Sequence, residues 1–223
     1  MNRGKMIQMK MSDGAEIGVY HVEPAGARRG GLVLIQEIFG VTPHIQDCCD
    51  GYADDGYEVF APALFDREAP GLQASMEPES LQKAIKIARE LHSFDLSVKD
   101  TQTCIDALKG PVFTTGYCCG GSVVWAAACR CHGLAAASGY YGSVIPALAG
   151  ETPKCPTILH FGKHDLGIPM EGVEKVIAAH PQVKVYIYDA GHGFNSDRGD
   201  HYNEAAAKLA RQRTLDLFRA NAG

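Results

Sequence analysis

Long apolar segments are absent from this sequence of 223 residues. No run approaches the length needed to cross a bilayer, and residues 1–6 lack the apolar stretch of a signal peptide. A basic surface is missing as well, because 26 Asp and Glu outnumber 21 Lys and Arg and no basic stripe is interleaved with aromatic residues. We therefore expect a cytoplasmic protein that binds neither membranes nor nucleic acids.

The 8 cysteines do not follow the pattern of a disulfide framework. Two pairs are adjacent, Cys48-Cys49 and Cys118-Cys119, and a chain with 46% hydrophobic residues can build a core without covalent cross-links. The run Cys129-Arg130-Cys131-His132 could suggest zinc, but a second ligand pair at a usual spacing is missing. We expect mostly buried thiols, with no metal and no cofactor.

No linker, internal repeat or low-complexity segment interrupts the chain, so we expect residues 1–223 to form one domain. Apolar runs alternate with segments of helical periodicity. The predicted strands are 6–11, 15–22, 31–35, 57–61, 112–115, 134–138, 157–161 and 183–188, and the predicted helices are 43–55, 80–92, 95–109, 120–130, 169–179 and 201–220. This alternation predicts a mostly parallel central sheet flanked by helices. No large cap domain is expected, so loops such as 62–79 and 139–155 would cover any active site at the edge of the sheet.

One predicted strand-to-helix turn carries the strongest chemical signal. Residues 116–121 read Gly-Tyr-Cys-Cys-Gly-Gly, which is the Gly-x-nucleophile-x-Gly pattern of an α/β-hydrolase elbow with Cys118 in place of serine. The glycines leave room beside a nucleophile that is held in a strained backbone conformation. A glycine-rich turn with buried structural cysteines is the alternative interpretation.

Two later strand ends supply partners for this thiol. Asp165 and His192 each follow a predicted strand, and functional groups in open α/β sheets gather at the carboxyl ends of the strands. The order Cys118, Asp165, His192 is the nucleophile–acid–histidine order of α/β-hydrolases. We predict that His192 is the base and that Asp165 orients it. Asp189 is a rival orienter, and Asp165 could instead cap a helix.

The segment 36–40, Gln-Glu-Ile-Phe-Gly, follows the apolar run 31–35. A loop in this position contributes one backbone N–H to an oxyanion hole, and the residue after the nucleophile contributes the other. This assigns Ile38 or its neighbour together with Cys119. Burying the Glu37 carboxylate without a partner would be costly. The alternative interpretation is that Glu37 is a solvated carboxylate of the loop.

These motifs together resemble the dienelactone hydrolase family. The likeness rests on segments 36–40, 116–121 and 190–194, the last reading Ala-Gly-His-Gly-Phe, and it extends from about residue 15 to about residue 220. The resemblance implies an α/β-hydrolase fold and a triad of Cys118, Asp165 and His192. It also implies that Glu37 hydrogen-bonds the resting thiol and that Ile38 and Cys119 form the oxyanion hole. Family members hydrolyse cyclic enol-lactones or related esters without a metal or cofactor.

The sequence departs from the family at the residues that bind the substrate carboxylate. Well-studied members hold it with two arginines, whereas this chain has Asn195-Ser196 in one of those regions and Leu81-Gln82-Lys83 in the other. Arg67 or Arg198 could replace the missing charge, although both could be ordinary surface residues. The candidate substrate-binding residues are Arg67, Phe39, Tyr140 and Phe194.

The expected function is hydrolysis of a small lactone or carboxylic ester through a Cys118 thioester, by a monomer or a small homo-oligomer. We also expect an ionised Glu37 to suppress the Cys118 thiolate by like-charge repulsion. Two alternatives stay open. One is a general carboxylesterase or thioesterase acting on a neutral substrate, and the other is a non-catalytic redox sensor that uses the thiols of Cys118 and Cys119.

Overall fold

One mixed sheet of eight strands organises residues 3–222, which are the residues that the computed structural model describes. The strands are β1 (Lys5–Lys10), β2 (Glu16–Val22), β3 (Gly30–Ile35), β4 (Tyr57–Pro62), β5 (Val112–Tyr117), β6 (Leu134–Tyr140), β7 (Thr157–Gly162) and β8 (Lys184–Tyr188). Their order across the sheet is β1-β2-β4-β3-β5-β6-β7-β8. The β1–β2 and β2–β4 pairs are antiparallel and all later pairs are parallel, which confirms the predicted mostly parallel sheet.

Helices cover both faces of this sheet. They are α1 (Pro43–Asp54), α2 (Pro78–Lys86), α3 (Phe94–Ala107), α4 (Cys119–Arg130), α5 (Met170–Ala179) and α6 (Glu204–Ala220). Alternate side chains of β3 enter two different core clusters, with Leu32 and Leu34 in one and Val33 and Ile35 in the other. Because side chains alternate along a strand, this continuous apolar run is buried on both faces.

Two helices differ from the prediction at their ends for physical reasons. The predicted helix 80–92 begins earlier, at a proline that suits the first turn, and ends as a π-helical turn over Ile87–Leu91. The last helix begins later than predicted because the Asn203 side chain caps it by accepting the Ala206 N–H at 3.0 Å. None of the helices within residues 3–222 combines the length and apolar character needed to cross a membrane.

The parallel register brings the functional segments to one edge of the sheet. Ile35 of β3 is paired with Gly116 of β5, and Tyr117 of β5 is paired with Tyr140 of β6. Strand β6 is two residues longer than predicted, so Tyr140 lies in the sheet rather than in the covering loop. The loops that follow β3, β5, β6, β7 and β8 therefore meet at the carboxyl ends of the strands.

Candidate active site

The turn between β5 and α4 holds Cys118 in the geometry of a nucleophile elbow. Its backbone has φ 56° and ψ −120°, which is rare for a residue with a Cβ atom. A Cβ atom on Gly121 would lie 2.1 Å from the carbonyl oxygen of Tyr140, and one on Gly120 would lie 2.5 Å from that of Ile35. Only glycine fits at these two positions, and their small size lets the turn place the thiol above the sheet.

His192 lies between Cys118 and Asp165. Its Nε2 atom is 3.3 Å from the Cys118 sulfur, and its Nδ1 atom is 2.6 Å from Asp165 Oδ2. The buried Asp165 carboxylate also accepts the Gly167 N–H at 2.8 Å, which fixes its orientation. The rival Asp189 lies instead 2.6 Å from His164 Nε2 with a largely exposed side chain. Asp165 is thus the acid in contact with His192.

The negative charge of the Cys118 thiolate and the positive charge of the His192 imidazolium stabilise each other. Burial alone would lower the pKa of His192, but hydrogen bonds to Asp165 and Cys118 outweigh it and raise that pKa to about 10. The pKa of Cys118 falls well below its usual value because the Cys119 thiol hydrogen-bonds to its sulfur and because His192 lies beside it. These two directions favour a thiolate beside an imidazolium in the free protein.

Glu37 is 7% exposed, and its carboxylate forms no hydrogen bond with any residue in the range 3–222. Burial, followed by the nearby Cys118 charge, raises the pKa of Glu37 to about 8. The carboxyl group is therefore mostly protonated at neutral pH. From the sequence we expect an ionised Glu37 that suppresses the thiolate, and the family resemblance implies a hydrogen bond from Glu37 to the thiol. In the structure the thiol faces His192 instead.

The loop 36–40 lies against the elbow. The Gln36 side chain accepts the Leu64 N–H at 3.1 Å, and the Gln36 carbonyl oxygen lies 3.6 Å from the Cys119 sulfur. The Cys119 N–H is directed at the Cys118 sulfur, and the Ile38 N–H has no acceptor among residues 3–222. Of the two groups expected to form the oxyanion hole, the Cys119 N–H therefore lies beside the nucleophile, and the Ile38 N–H belongs to the loop that contacts the elbow.

Among the candidate substrate-binding residues, Phe39 and Arg67 are partly exposed, whereas Tyr140 and Phe194 are buried. Arg67 forms ion pairs with Asp13 at 2.9 Å and with the buried Asp100 at 2.7 Å. Tyr140 and Phe194 are fully buried. The Tyr140 hydroxyl lies 2.8 Å from the buried Thr214 Oγ1 of α6. Arg67 is a candidate because of its charge, and neither residue type nor position in the sequence reveals what a side chain contacts in the fold.

Arg198, the second candidate for binding a substrate carboxylate, is also paired with carboxylates of the protein. It forms ion pairs with Asp47 and Asp197, and Asp197 in turn lies 3.0 Å from His44 Nδ1. Both arginines considered as replacements for the family pair are therefore neutralised by carboxylates.

Sequence reasoning missed Tyr141. Its fully buried ring meets the His192 ring edge-on, with 5.1 Å between the centroids. Its φ of 36° lies in the left-handed region. The available signal was its position directly after β6, at the functional edge of the sheet. The prediction chose Tyr140, which is one residue away and belongs to the strand.

Potential metal ligands occur together away from the elbow. Within the described residues, ligand atoms of His21, Glu23 and Glu58 lie within 4.8 Å of one another, but Glu58 also accepts the Arg28 Nε–H at 2.9 Å. The thiols of Cys129 and Cys131 belong to different core clusters, one on each face of the sheet. The two thiols of the Cys-x-Cys-His run therefore do not lie together as ligands of one metal ion would.

Known proteins match this chain over nearly all of its length. A family model described as "Dienelactone hydrolase family" matches residues 17–222. A candidate carboxymethylenebutenolidase of Synechocystis sp. is 32% identical over 225 residues, covering 91% of this chain and 91% of that protein. The carboxymethylenebutenolidase of Pseudomonas putida is 29% identical over 226 residues, covering 95% and 94%. The crystal structure of a candidate dienelactone hydrolase from Klebsiella pneumoniae has a TM-score of 0.84 at 25% identity and covers 98% of this chain and 99% of that one.

Proposed function

Because the chain belongs to the dienelactone hydrolase family of ester and lactone hydrolases, we propose that it cleaves a small lactone or carboxylic ester through a Cys118 thioester. The observation that carries this proposal is the contact chain from Cys118 Sγ to His192 at 3.3 Å and from His192 to Asp165 at 2.6 Å. A thiol, a base and a buried acid in this order are the parts needed for nucleophilic acyl transfer.

Acylation begins with attack of the Cys118 thiolate on the substrate carbonyl carbon. The carbonyl oxygen becomes an oxyanion, which accepts hydrogen bonds from the N–H groups of Ile38 and Cys119. When the tetrahedral intermediate collapses, the bond to the alkoxy oxygen breaks. That oxygen takes a proton from His192 Nε2, and the acyl group stays on sulfur as a thioester.

Deacylation uses the same groups, with water as the attacking molecule and His192 first acting as the base. His192, now neutral, accepts a proton from water while the water oxygen attacks the thioester carbonyl. The second oxyanion occupies the same pair of N–H groups. Its collapse releases the carboxylic acid and restores the thiolate beside the protonated His192. Asp165 keeps the imidazole oriented throughout and stabilises its positive charge.

Replacement of the nucleophile tests the proposal. Cys118→Ala is expected to lower kcat/KM for ester hydrolysis by about 10⁴-fold or more, since the covalent route is lost. The melting temperature should change little because the site is half-buried. Mass spectrometry of acid-quenched wild type should also find the acyl group on Cys118. Wild-type turnover by purified Cys118→Ala would contradict the proposal.

A second candidate function is hydrolysis of neutral esters rather than anionic lactones. The observation that favours it is that Arg67 and Arg198 are both paired with carboxylates. A buried substrate carboxylate needs a partner cation. A lactone that bears a carboxylate should therefore be hydrolysed with lower kcat/KM than its methyl ester. A preference for the free acid would instead support the family's anionic substrate class.

A further inference from the structure

The hydroxyl group of Tyr141 is buried and has no hydrogen-bond partner among residues 3–222. A buried hydroxyl that gives up water without gaining a protein partner is costly, and native proteins keep few such groups. The ring itself is well packed against His192 and Phe194, with centroid distances of 5.1 Å and 5.2 Å. Packing explains the aromatic ring, but it does not explain why the ring carries a hydroxyl.

The backbone at Tyr141 is also unusual. Within the described part of the chain, Cys118 and Tyr141 are the only non-glycine residues with positive φ, at 56° and 36°. Such conformations persist where the surroundings enforce them, and they cluster at functional sites. The Tyr141 N–H donates to the His160 carbonyl at 2.8 Å, and a Cβ atom on Gly142 would lie 2.5 Å from the Ser122 nitrogen. Close packing on both sides therefore fixes the strained residue.

The position of Tyr141 relative to the nucleophile follows from the strand register. Tyr140 is paired with Tyr117, and the Cys118 N–H donates to the Tyr140 carbonyl at 3.1 Å, so Tyr141 lies level with Cys118 at the edge of the sheet. Burial, followed by the charges of Glu37 and Cys118, raises the pKa of its hydroxyl, and its ring borders His192. The unpartnered hydroxyl thus belongs to a residue that lies beside the base and follows the strand paired with that of the nucleophile.

We propose that the Tyr141 hydroxyl is a catalytic group that donates a hydrogen bond to the alkoxy oxygen of the bound ester or lactone. This inference rests on the proposed acyl-transfer function. The N–H groups of Ile38 and Cys119 serve the carbonyl oxygen, whereas the alkoxy oxygen leaves toward His192, which is the residue that the Tyr141 ring borders. Because the hydroxyl has no exposed surface in the free protein, substrate binding must move the surrounding side chains, and the alkoxy oxygen then becomes the partner that the hydroxyl lacks.

The electron and proton balance of the step is unchanged by this donor. The Sγ–C bond forms, the bond from that carbon to the alkoxy oxygen breaks, and the released electron pair accepts the proton from His192 Nε2. Tyr141 keeps its own proton, because burial raises the pKa of its hydroxyl well above the ordinary value. It stabilises the charge that develops on the leaving oxygen before proton transfer is complete.

Tyr141→Phe tests the proposal, because it keeps the ring and removes only the hydroxyl. The substrates are p-nitrophenyl, phenyl and ethyl acetate, which share one acyl group and differ in the leaving oxygen. The loss of kcat/KM should increase with the basicity of the leaving group, from less than about threefold with p-nitrophenyl acetate to about 100-fold with ethyl acetate. The melting temperature should stay the same or rise, since no hydrogen bond of the free protein is lost.

Tyr57→Phe is the matched control. The Tyr57 hydroxyl is likewise buried without a partner, but its ring packs against Phe113 and Phe218 in the core. This variant should match Tyr141→Phe in stability and match the wild type in kcat/KM for all three esters. Equal losses in both variants, or a loss in Tyr141→Phe that does not depend on the leaving group, would overturn the proposal.

Cys118→Ala separates the failure of this inference from the failure of the proposed function. If wild-type hydrolysis is absent or survives in Cys118→Ala, the acyl-transfer function fails and the role of Tyr141 fails with it. If Cys118→Ala is inactive and Tyr141→Phe retains wild-type kcat/KM on ethyl acetate, the inference about Tyr141 alone is wrong.

Discussion

At the scale of single residues, Glu37 and His192 lie in the same site, yet their pKa values rise for different reasons. His192 gains hydrogen bonds to Asp165 and Cys118 that favour its charged form. Glu37 has no such partner, and burial favours its neutral form. The site thus combines an ion pair, formed by Cys118 and His192, with an uncharged carboxyl group beside it.

The buried carboxyl group should make the protein less stable as the pH rises. The pKa of Glu37 is about 8 in the folded protein and near its ordinary value of about 4.3 in the unfolded chain. Between these values the unfolded state binds fewer protons, so the free energy of unfolding falls by about 1.4 kcal/mol per pH unit. Glu37→Gln removes this term. The variant should therefore gain stability relative to wild type from about pH 5 to about pH 8, and then level off.

Urea unfolding of both proteins at several pH values measures this difference. A constant difference between Glu37→Gln and wild type across that range would mean that the folded carboxyl group ionises normally. The pairwise comparison cancels the titration of the groups that do not interact with Glu37, which both proteins share.

At the scale of elements, one helical glycine is required by close packing and another is not. Gly121 in the first turn of α4 lies against β6, with its missing Cβ 2.1 Å from the Tyr140 carbonyl oxygen. Gly51 in α1 faces only the end of the flexible Arg211 side chain at 3.4 Å. The first glycine allows the elbow helix to approach the sheet, whereas the second weakens a helix that could accept alanine.

Alanine substitutions at these two glycines should change stability in opposite directions. Gly121→Ala is expected to destabilise the protein by about 3 kcal/mol or more and to lower esterase activity, because the elbow must move away from β6. Gly51→Ala should stabilise it by about 0.5–1 kcal/mol through its greater helix propensity, with activity unchanged. Thermal unfolding of the two variants checks both signs. A Gly121→Ala protein as stable and active as wild type would exclude the close approach as a constraint.

At the scale of the whole molecule, a buried polar network joins the second half of the sheet to the last helix. His160 on β7 lies 2.8 Å from the Tyr188 hydroxyl on β8, 3.2 Å from Ser138 Oγ on β6 and 3.3 Å from Thr214 Oγ1 on α6. Burial, aided by the nearby Arg213 charge, lowers the pKa of His160 to about 3. The network is thus held together by a neutral imidazole.

This neutral histidine should make the molecule sensitive to acid. Between about pH 6.5 and about pH 3 the unfolded chain binds a proton that folded His160 does not, so stability falls with falling pH by about 1.4 kcal/mol per unit. His160→Gln should be less stable than wild type at pH 7, because some hydrogen bonds of the network are lost. That deficit should shrink as the pH falls toward 4. Calorimetric melting curves over this range test the claim, and a deficit that stays constant would refute it.

Much of the architecture could be predicted because its causes are local. The apolar run of β3 and the alternation of β8 indicate strands through the side-chain period of an extended chain. The glycines around Cys118 predict the elbow because a tight turn excludes Cβ atoms. The order of Cys118, Asp165 and His192 along the chain, each after a strand, places them at one edge once the sheet is parallel.

The sequence by itself thus determined the sheet, the elbow and the segments that surround Cys118, since steric limits and side-chain periodicity act between near neighbours. Only the tertiary structure decided that Asp165 rather than Asp189 contacts His192, that Arg67 is paired with Asp100, and that Tyr141 rather than Tyr140 borders the base. It also decided that Glu37 is mostly neutral. Burial, charge and the direction of a side chain depend on the sum of contacts from elements far apart in the chain, and no local pattern contains that sum.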